Sequence, residues 1–252
     1  MLKRLFSSQN SFTKIFIISL TISLVFYIFY LLLRENIRGV EYQIYDAHIQ
    51  MRYIIKINEK VDYSIINIVI NDGETDNTNI LSYRKKITKL LIKLKEIKAK
   101  SVLIDIIFPE KSDNKTDDEL ITSVKGLSKV YLPFTYNEKK TFFNFNELQN
   151  SIYDSGFNNI YLSDDGILRN LKIFEYNGIS RYFFVSFKTA CDYLGVKENN
   201  IVFNKNNIIL KNANLPSGIK KDIRIPLTKD YNFLINYIGV FNKVFLPIAR
   251  KK

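Results

Sequence analysis

At 252 residues, 46% of them hydrophobic, the chain is long enough for one globular domain with a real core plus an appendage. Its net charge of +12 comes from 37 basic residues scattered over helix faces and loops rather than collected in a stripe with aromatics, which argues against a nucleic-acid groove. The single cysteine, Cys191, and the single histidine, His48, exclude an internal disulfide and leave a thiolate or histidine metal cluster and a Ser/His/Asp triad without support.

Residues 15–33 run without a charge, "IFIISLTISLVFYIFYLLL". As a helix rising about 1.5 Å per residue, this segment is long enough to cross a hydrocarbon core of about 30 Å. No small-residue cleavage site follows Leu33, so the span is expected to stay as an uncleaved anchor. Lys3, Arg4 and Lys14 before it are matched by Arg34, Arg38 and Arg52 after it, so charge leans only slightly to a cytoplasmic amino terminus. The expected layout is a cytoplasmic tail over 1–14, the span over 15–33, a juxtamembrane stalk over 34–57 and a domain over 58–252.

Beyond the span, Ile37, Val40, Ile44, Ala47 and Met51 keep a three-four spacing that predicts a helical stalk. Its apolar seam packs either on its own domain or on a second copy of the chain. Next, the β-branched run "IINIVIND" from Ile65 predicts a strand, and Ile87, Leu90, Leu91, Leu94 and Ile97 lie on one face of a helix over 83–98. "SVLIDIIF" at 101–108 predicts a second strand, and both runs read as strands buried on two faces of a parallel sheet. The carboxyl ends of such strands are the default ligand edge.

Thr116-Asp117-Asp118-Glu119 has the spacing of a capping box and predicts a short helix through Val124. "KVYLPF" at 129–134 predicts a third strand, completing β-α-β-α-β, and 137–150 reads as a loop. From Ser155 short strands and turns take over: a turn at Asp164-Asp165-Gly166, a hairpin at Asn177-Gly178, a helix over about 182–194, a hairpin from "NIVF" to "NIILK", and a last pair from "IRIPL" to "FLINYIG". Cys191 shares a helix face with Phe184, Phe187 and Leu194 and is expected to be a buried small hydrophobe. The fold class is therefore α/β: one transmembrane helix, then a mixed sheet with a parallel βαβαβ core and an antiparallel second half.

Asp105 interrupts an otherwise apolar strand, where an ionised carboxylate needs a partner. Arg84, opening the crossover helix, is the candidate. One reading is a structural contact at the strand-helix junction. The other makes Asp72, Arg84, Asp105 and Glu110 a polar ligand site at the strand ends. A cation between the acidic loops 72–76 and 110–118 is a further reading, although the spacing fits no known calcium loop.

The ordered set "YDAHIQMR", "INIVINDGE", "YRKKITKLLIKLKEIKAKSVLIDIIF", "DDEL", "LSDDGILRN", "YFFVSFKTACDYLG" and "IPLTKDYNFLINYIG" resembles the CHASE2 domain over nearly the whole chain after the anchor. The resemblance implies an extracytoplasmic sensory module of a bacterial membrane receptor, non-catalytic in itself, with a cytoplasmic amino terminus, a small-molecule or ionic ligand and no cofactor. Two departures stand out. The family's tryptophan-proline stretch is absent, leaving Arg84 in register with its arginine. The chain also stops at Lys252, where the family adds a closing strand, membrane helices and an output domain, so a sensor-only protein or a truncated receptor is expected. The alternative functions are a membrane-anchored hydrolase using carboxylates and a metal, or a structural protein that dimerises through the stalk.

Overall fold

The computed structural model describes residues 11–55, 65–70, 80–136, 141–176, 180–228 and 231–235. The described residues divide into two compact units, with the break at Ile68/Val69.

The first unit is dominated by α1, Ser11–Ile54, a single 44-residue helix. Residues Lys14–Leu33 within it form a 20-residue apolar stretch, none of it buried. Thr21, the one hydroxyl-bearing β-branched residue there, donates its Oγ1 hydrogen to the Ile17 carbonyl at 2.8 Å, which satisfies the hydroxyl inside its own helix. At about 1.5 Å per residue α1 is about 66 Å long, roughly twice a hydrocarbon core, so the stalk is a continuation of the same helix.

In the second unit, α2 (Ile80–Glu96) buries Ile87 and Leu91 and keeps Lys85, Lys86, Lys89 and Lys93 exposed, as its periodicity predicts. It ends where Lys98 turns left-handed at φ 56° and the Ala99 amide reaches back to the Leu94 carbonyl, which leaves Ile97 in solvent. Strand β1 (Val102–Leu103) pairs in parallel with β2 (Val130–Phe134), and β2 pairs in parallel with β3 (Asp154–Phe157). Between β1 and β2 lies α3 (Asn114–Lys125), and between β2 and β3 the short α4 (Asn146–Gln149). Every residue of β2 is buried, the pattern of a central strand covered on both faces. One core packs Ile87, Leu91, Leu120, Val124, Val130, Leu132, Phe145 and Leu148 together.

The antiparallel half follows. Strand β5 (Phe174–Tyr176) pairs with β6 (Arg181–Phe183), which confirms the hairpin; its turn residues 177–179 lie outside the described residues. Helix α5 (Val185–Tyr193) leads to a three-stranded sheet of β7 (Ile201–Phe203), β8 (Asn207–Asn214) and β9 (Lys220–Pro226). A second, aromatic core joins Phe134, Phe157, Phe174, Phe183, Phe184, Phe187, Cys191 and Ile208, with Cys191 buried as expected. Gly156 in β3 permits this join. A Cβ there would sit 2.6 Å from the Phe183 carbonyl oxygen and 2.7 Å from Val185 Cα, so the chain entering α5 lies directly against β3.

The mixed α/β class stands, with three corrections of detail. Residues 65–70 form no strand, and Ile65, Ile66 and Val69 are exposed, so a β-branched run without a strand partner stays irregular. The third parallel strand is β3, from a segment expected in the antiparallel half. The "IRIPL" segment pairs with β8, while β10 (Asn232–Leu234) pairs antiparallel with the distant β4 (Asn170–Lys172).

Candidate functional site

Three strands leave the parallel sheet together, and each places one polar side chain just past its carboxyl end. Asp105 lies two residues beyond β1, Thr135 directly follows β2 and Asn158 directly follows β3. Asn158 Nδ2 donates to Asp105 Oδ1 at 3.1 Å, and Thr135 Oγ1 donates to Asn158 Oδ1 at 3.1 Å. This fixes a direction of hydrogen bonding from Thr135 through Asn158 to Asp105. The adjoining pair is locked too: Asn159 Oδ1 accepts from the Tyr136 amide at 2.8 Å, and its Nδ2 donates to the Tyr136 carbonyl at 2.6 Å. Thr135 and Asn158 are half-buried and Asp105 is exposed, so the row ends in a carboxylate that, among the described residues, has acceptor positions open.

Asp105 was expected to be buried against Arg84, and the structure corrects both expectations. The sheet pairing of β1 ends at Leu103, so Asp105 lies past the paired part of the strand, and it accepts from Asn158 instead. Arg84 is 3% exposed and forms an ion pair with Asp117 in the first turn of α3. It also donates to Ser112 Oγ at 3.0 Å and to the Glu110 carbonyl. Asp117 in turn accepts from the Ser112 amide at 2.8 Å and from Ser112 Oγ at 2.9 Å. The Phe108 and Phe145 rings lie 5.6 and 5.5 Å from the guanidinium carbon. Of the four predicted residues, Arg84 and Glu110 thus meet, Glu110 through its backbone. Asp105 stands apart, and Asp72 lies outside the described residues.

The capping pattern at Thr116–Glu119 places the start of the helix a few residues too late: Asn114 opens it, and Asp117 lies in its first turn. Asp113 is the N-cap, its side chain accepting from the Thr116 amide at 3.0 Å, which leaves the Asp117 carboxylate to Arg84. The Asp164-Asp165-Gly166 segment is the expected turn: Gly166 has φ 78°, its amide reaches Ser163, and Asp165 pairs with Arg169 at 2.7 Å.

A further network lies at the opposite, amino end of β2. Asp192 of α5 accepts from Lys129 Nζ at 2.5 Å and from the Tyr131 hydroxyl at 2.7 Å. Lys129 also sits 4.9 Å from the centre of the Tyr153 ring. Burial alone would raise the Asp192 carboxyl, but the bonds from Lys129 and Tyr131 outweigh it and hold the group below the ordinary carboxylate range. The bond to Asp192 raises the Lys129 ammonium, and burial together with the Asp192 hydrogen bond pushes the Tyr131 phenol upward. The sequence gives no local sign of this cluster, because its members are 61 and 63 positions from Asp192.

Among the described residues no group of three or more metal-binding side chains gathers, and the acidic loop 72–76 lies outside them. The family model described as the CHASE2 domain matches residues 20–249, most of the chain. No curated protein and no solved structure matches.

Proposed function

Because this chain belongs to the CHASE2 domain family, a family of extracytoplasmic sensory domains, we propose that it is the membrane-anchored sensing module of a bacterial receptor and carries out no catalysis itself. The anchor is the apolar stretch of α1, the amino terminus is cytoplasmic, and the domain from residue 58 onward lies outside the membrane. A basic domain beside the bilayer is weakly attracted to anionic head groups, which favours keeping it near the surface. The same reading gives the stalk a second copy of the chain as partner.

The observation that carries the ligand-binding part is the row Thr135–Asn158–Asp105, one residue from each parallel strand, ending in an exposed carboxylate. Strand carboxyl ends are where open α/β sheets receive ligands. An ionised carboxylate only accepts hydrogen bonds, so the ligand offers donors at that point: an ammonium group, hydroxyls or a hydrated cation. Arg84 and the Glu110 carbonyl act as scaffold behind this edge, and Asp72, where the first β-branched run ends, remains in the proposed ligand set.

The test is a thermal melt of the full chain in lipid nanodiscs against amines, polyols and divalent cations. A ligand at 100 times its Kd stabilises by about 2.7 kcal/mol. Asp105→Asn should melt like the parent without ligand and lose most of that shift with it. A ligand that stabilises parent and variant equally would remove Asp105 from the site. A folded chain that responds to no compound in any class would count against ligand sensing at this edge.

A further inference from the structure

The apolar seam on the stalk continues through the described part of α1 as Val40, Ile44, Ala47, Met51 and Ile54, and all five residues are exposed. Their spacing is four, three, four, three, the alternation of the two core positions of a heptad. At about 100° per residue these five fall within roughly 40° of Val40. The half-buried residues of the same stretch are Tyr42, Tyr45, Asp46, Ile49 and Arg52. On the same count they centre on the diametrically opposite side of the helix. The stalk therefore has one stripe that is partly covered and, facing away from it, an apolar stripe that is not.

We infer that the uncovered stripe is a self-association seam, and that two copies of this chain pair through it as a parallel, in-register two-stranded coiled coil. The inference rests on the reading of α1 as a membrane anchor, because helices anchored through one bilayer in the same orientation can only pair in parallel. Three features favour a second copy over another partner. The repeat is that of a heptad seam, which matches itself when two identical helices align in register. Charge is compatible with self-pairing: the described flanking positions that face each other across a parallel dimer carry Gln43 against His48 of the other copy and Gln50 against Ile55, with no like-charged pair. The same register carried back into the span places Phe16, Ser19, Ser23, Phe26, Tyr30 and Leu33 at core positions, with no charged residue among them. The seam positions are thus uncharged from the span through the stalk. Ala47, the smallest core residue of the stalk, marks the place where the two helix backbones approach most closely.

Single cysteines introduced at Val40, Ile44 and Met51, and at Tyr42 and Ile49 on the covered side, test this in the full chain in native membranes. The natural Cys191 does not compete, since it is buried and its thiol is pushed up to about 12. Under mild oxidation, covalent dimer should form at positions 40, 44 and 51 at least tenfold faster than at 42 and 49, and Ile44→Glu should suppress it in the Val40→Cys background. Equal crosslinking at all five positions, or crosslinking confined to 42 and 49, overturns the seam. Alkaline extraction of the same membranes separates the two failures. A chain that resists extraction but shows no seam pattern refutes only the dimer, whereas a chain washed off the membrane refutes the anchor reading on which the dimer rests.

Discussion

Removing Asp117 should be among the most damaging single changes in the domain. Its side chain and that of Arg84 are each 4% exposed, so water replaces none of the lost bonds. Asp117→Ala deletes the ion pair and two bonds from Ser112, and leaves the guanidinium between Phe108 and Phe145 with only Ser112 Oγ and the Glu110 carbonyl. Arg84 Nε already has no hydrogen-bond partner in the structure. Breaking a buried pair from one side costs about 3–5 kcal/mol, because the remaining charge stays desolvated. In a domain of this size each kcal/mol moves Tm by about 2–4 °C, so a loss of about 6–20 °C is expected in a melt followed by circular dichroism. The double replacement Arg84→Met, Asp117→Leu removes both charges and should recover most of the loss, since a well-packed apolar pair is often as stable as the ion pair it replaces. A single change costing under about 1 kcal/mol, the range of exposed pairs, would refute the reasoning, as would a double variant no better than the single.

Other outcomes follow from the same geometry. Gly156→Ala drives a methyl into the backbone of Phe183 and Val185, so its urea midpoint should fall by the equivalent of about 3 kcal/mol with the slope unchanged; a midpoint near the parent's would mean that the α5 entry does not lie against β3. Asp192 is held below its ordinary pKa in the fold, so its contribution is present above the unfolded value of 3.8 and is lost as pH falls through the lower folded value. Asp192→Asn should therefore flatten the loss of stability below about pH 4, and an acid limb of unchanged steepness would clear Asp192 of that role. Lys129 behaves oppositely: its folded pKa is raised, so its contribution is complete below the unfolded 10.5 and declines as pH rises through the folded value, and Lys129→Met should lessen the alkaline loss in the same titration.

What the sequence revealed and what it hid divide along the range of the interactions involved. Helix α2 is legible because its apolar spacing and its exposed lysines are local facts, and β2 because a run of five buried residues needs no knowledge of its neighbours. Residues 65–70 have the composition of a strand and form none, since β propensity describes how side chains sit on a sheet and supplies no partner for the backbone. Strand β10 is the converse case: its partners in β4 lie 60 to 64 positions away, while the adjacent β9 pairs with β8. At the site, Thr116–Glu119 matched a local capping pattern that Asp113 satisfies instead, and only the folded arrangement brings Asp117 to Arg84 across 33 positions.

The difference between Asp117 and Asp105 then separates the charges that maintain the fold from one left available for recognition. Asp117 is buried, and its two oxygens accept from Arg84 and twice from Ser112, so a ligand would have to displace bonds on which folding depends. Asp105 is exposed and, among the described residues, accepts from the half-buried Asn158 amide, itself oriented by Thr135. A group held in direction but not saturated loses little on exchanging water for a ligand donor, and such preorganisation lowers the cost of binding. Asn158 is set in the same way, because its Oδ1 is occupied by Thr135 and its Nδ2 must therefore face Asp105. Thr135→Val removes the hydroxyl that sets this direction without touching the carboxylate. It should weaken any ligand that depends on Asp105 by several-fold in the nanodisc melts while leaving the unliganded Tm within about 2 °C, given that one partly exposed hydrogen bond contributes about 1 kcal/mol or less. If Asp105→Asn abolishes the ligand shift and Thr135→Val leaves it whole, Asp105 acts alone and the three-strand row is no more than a structural trim at the end of the sheet.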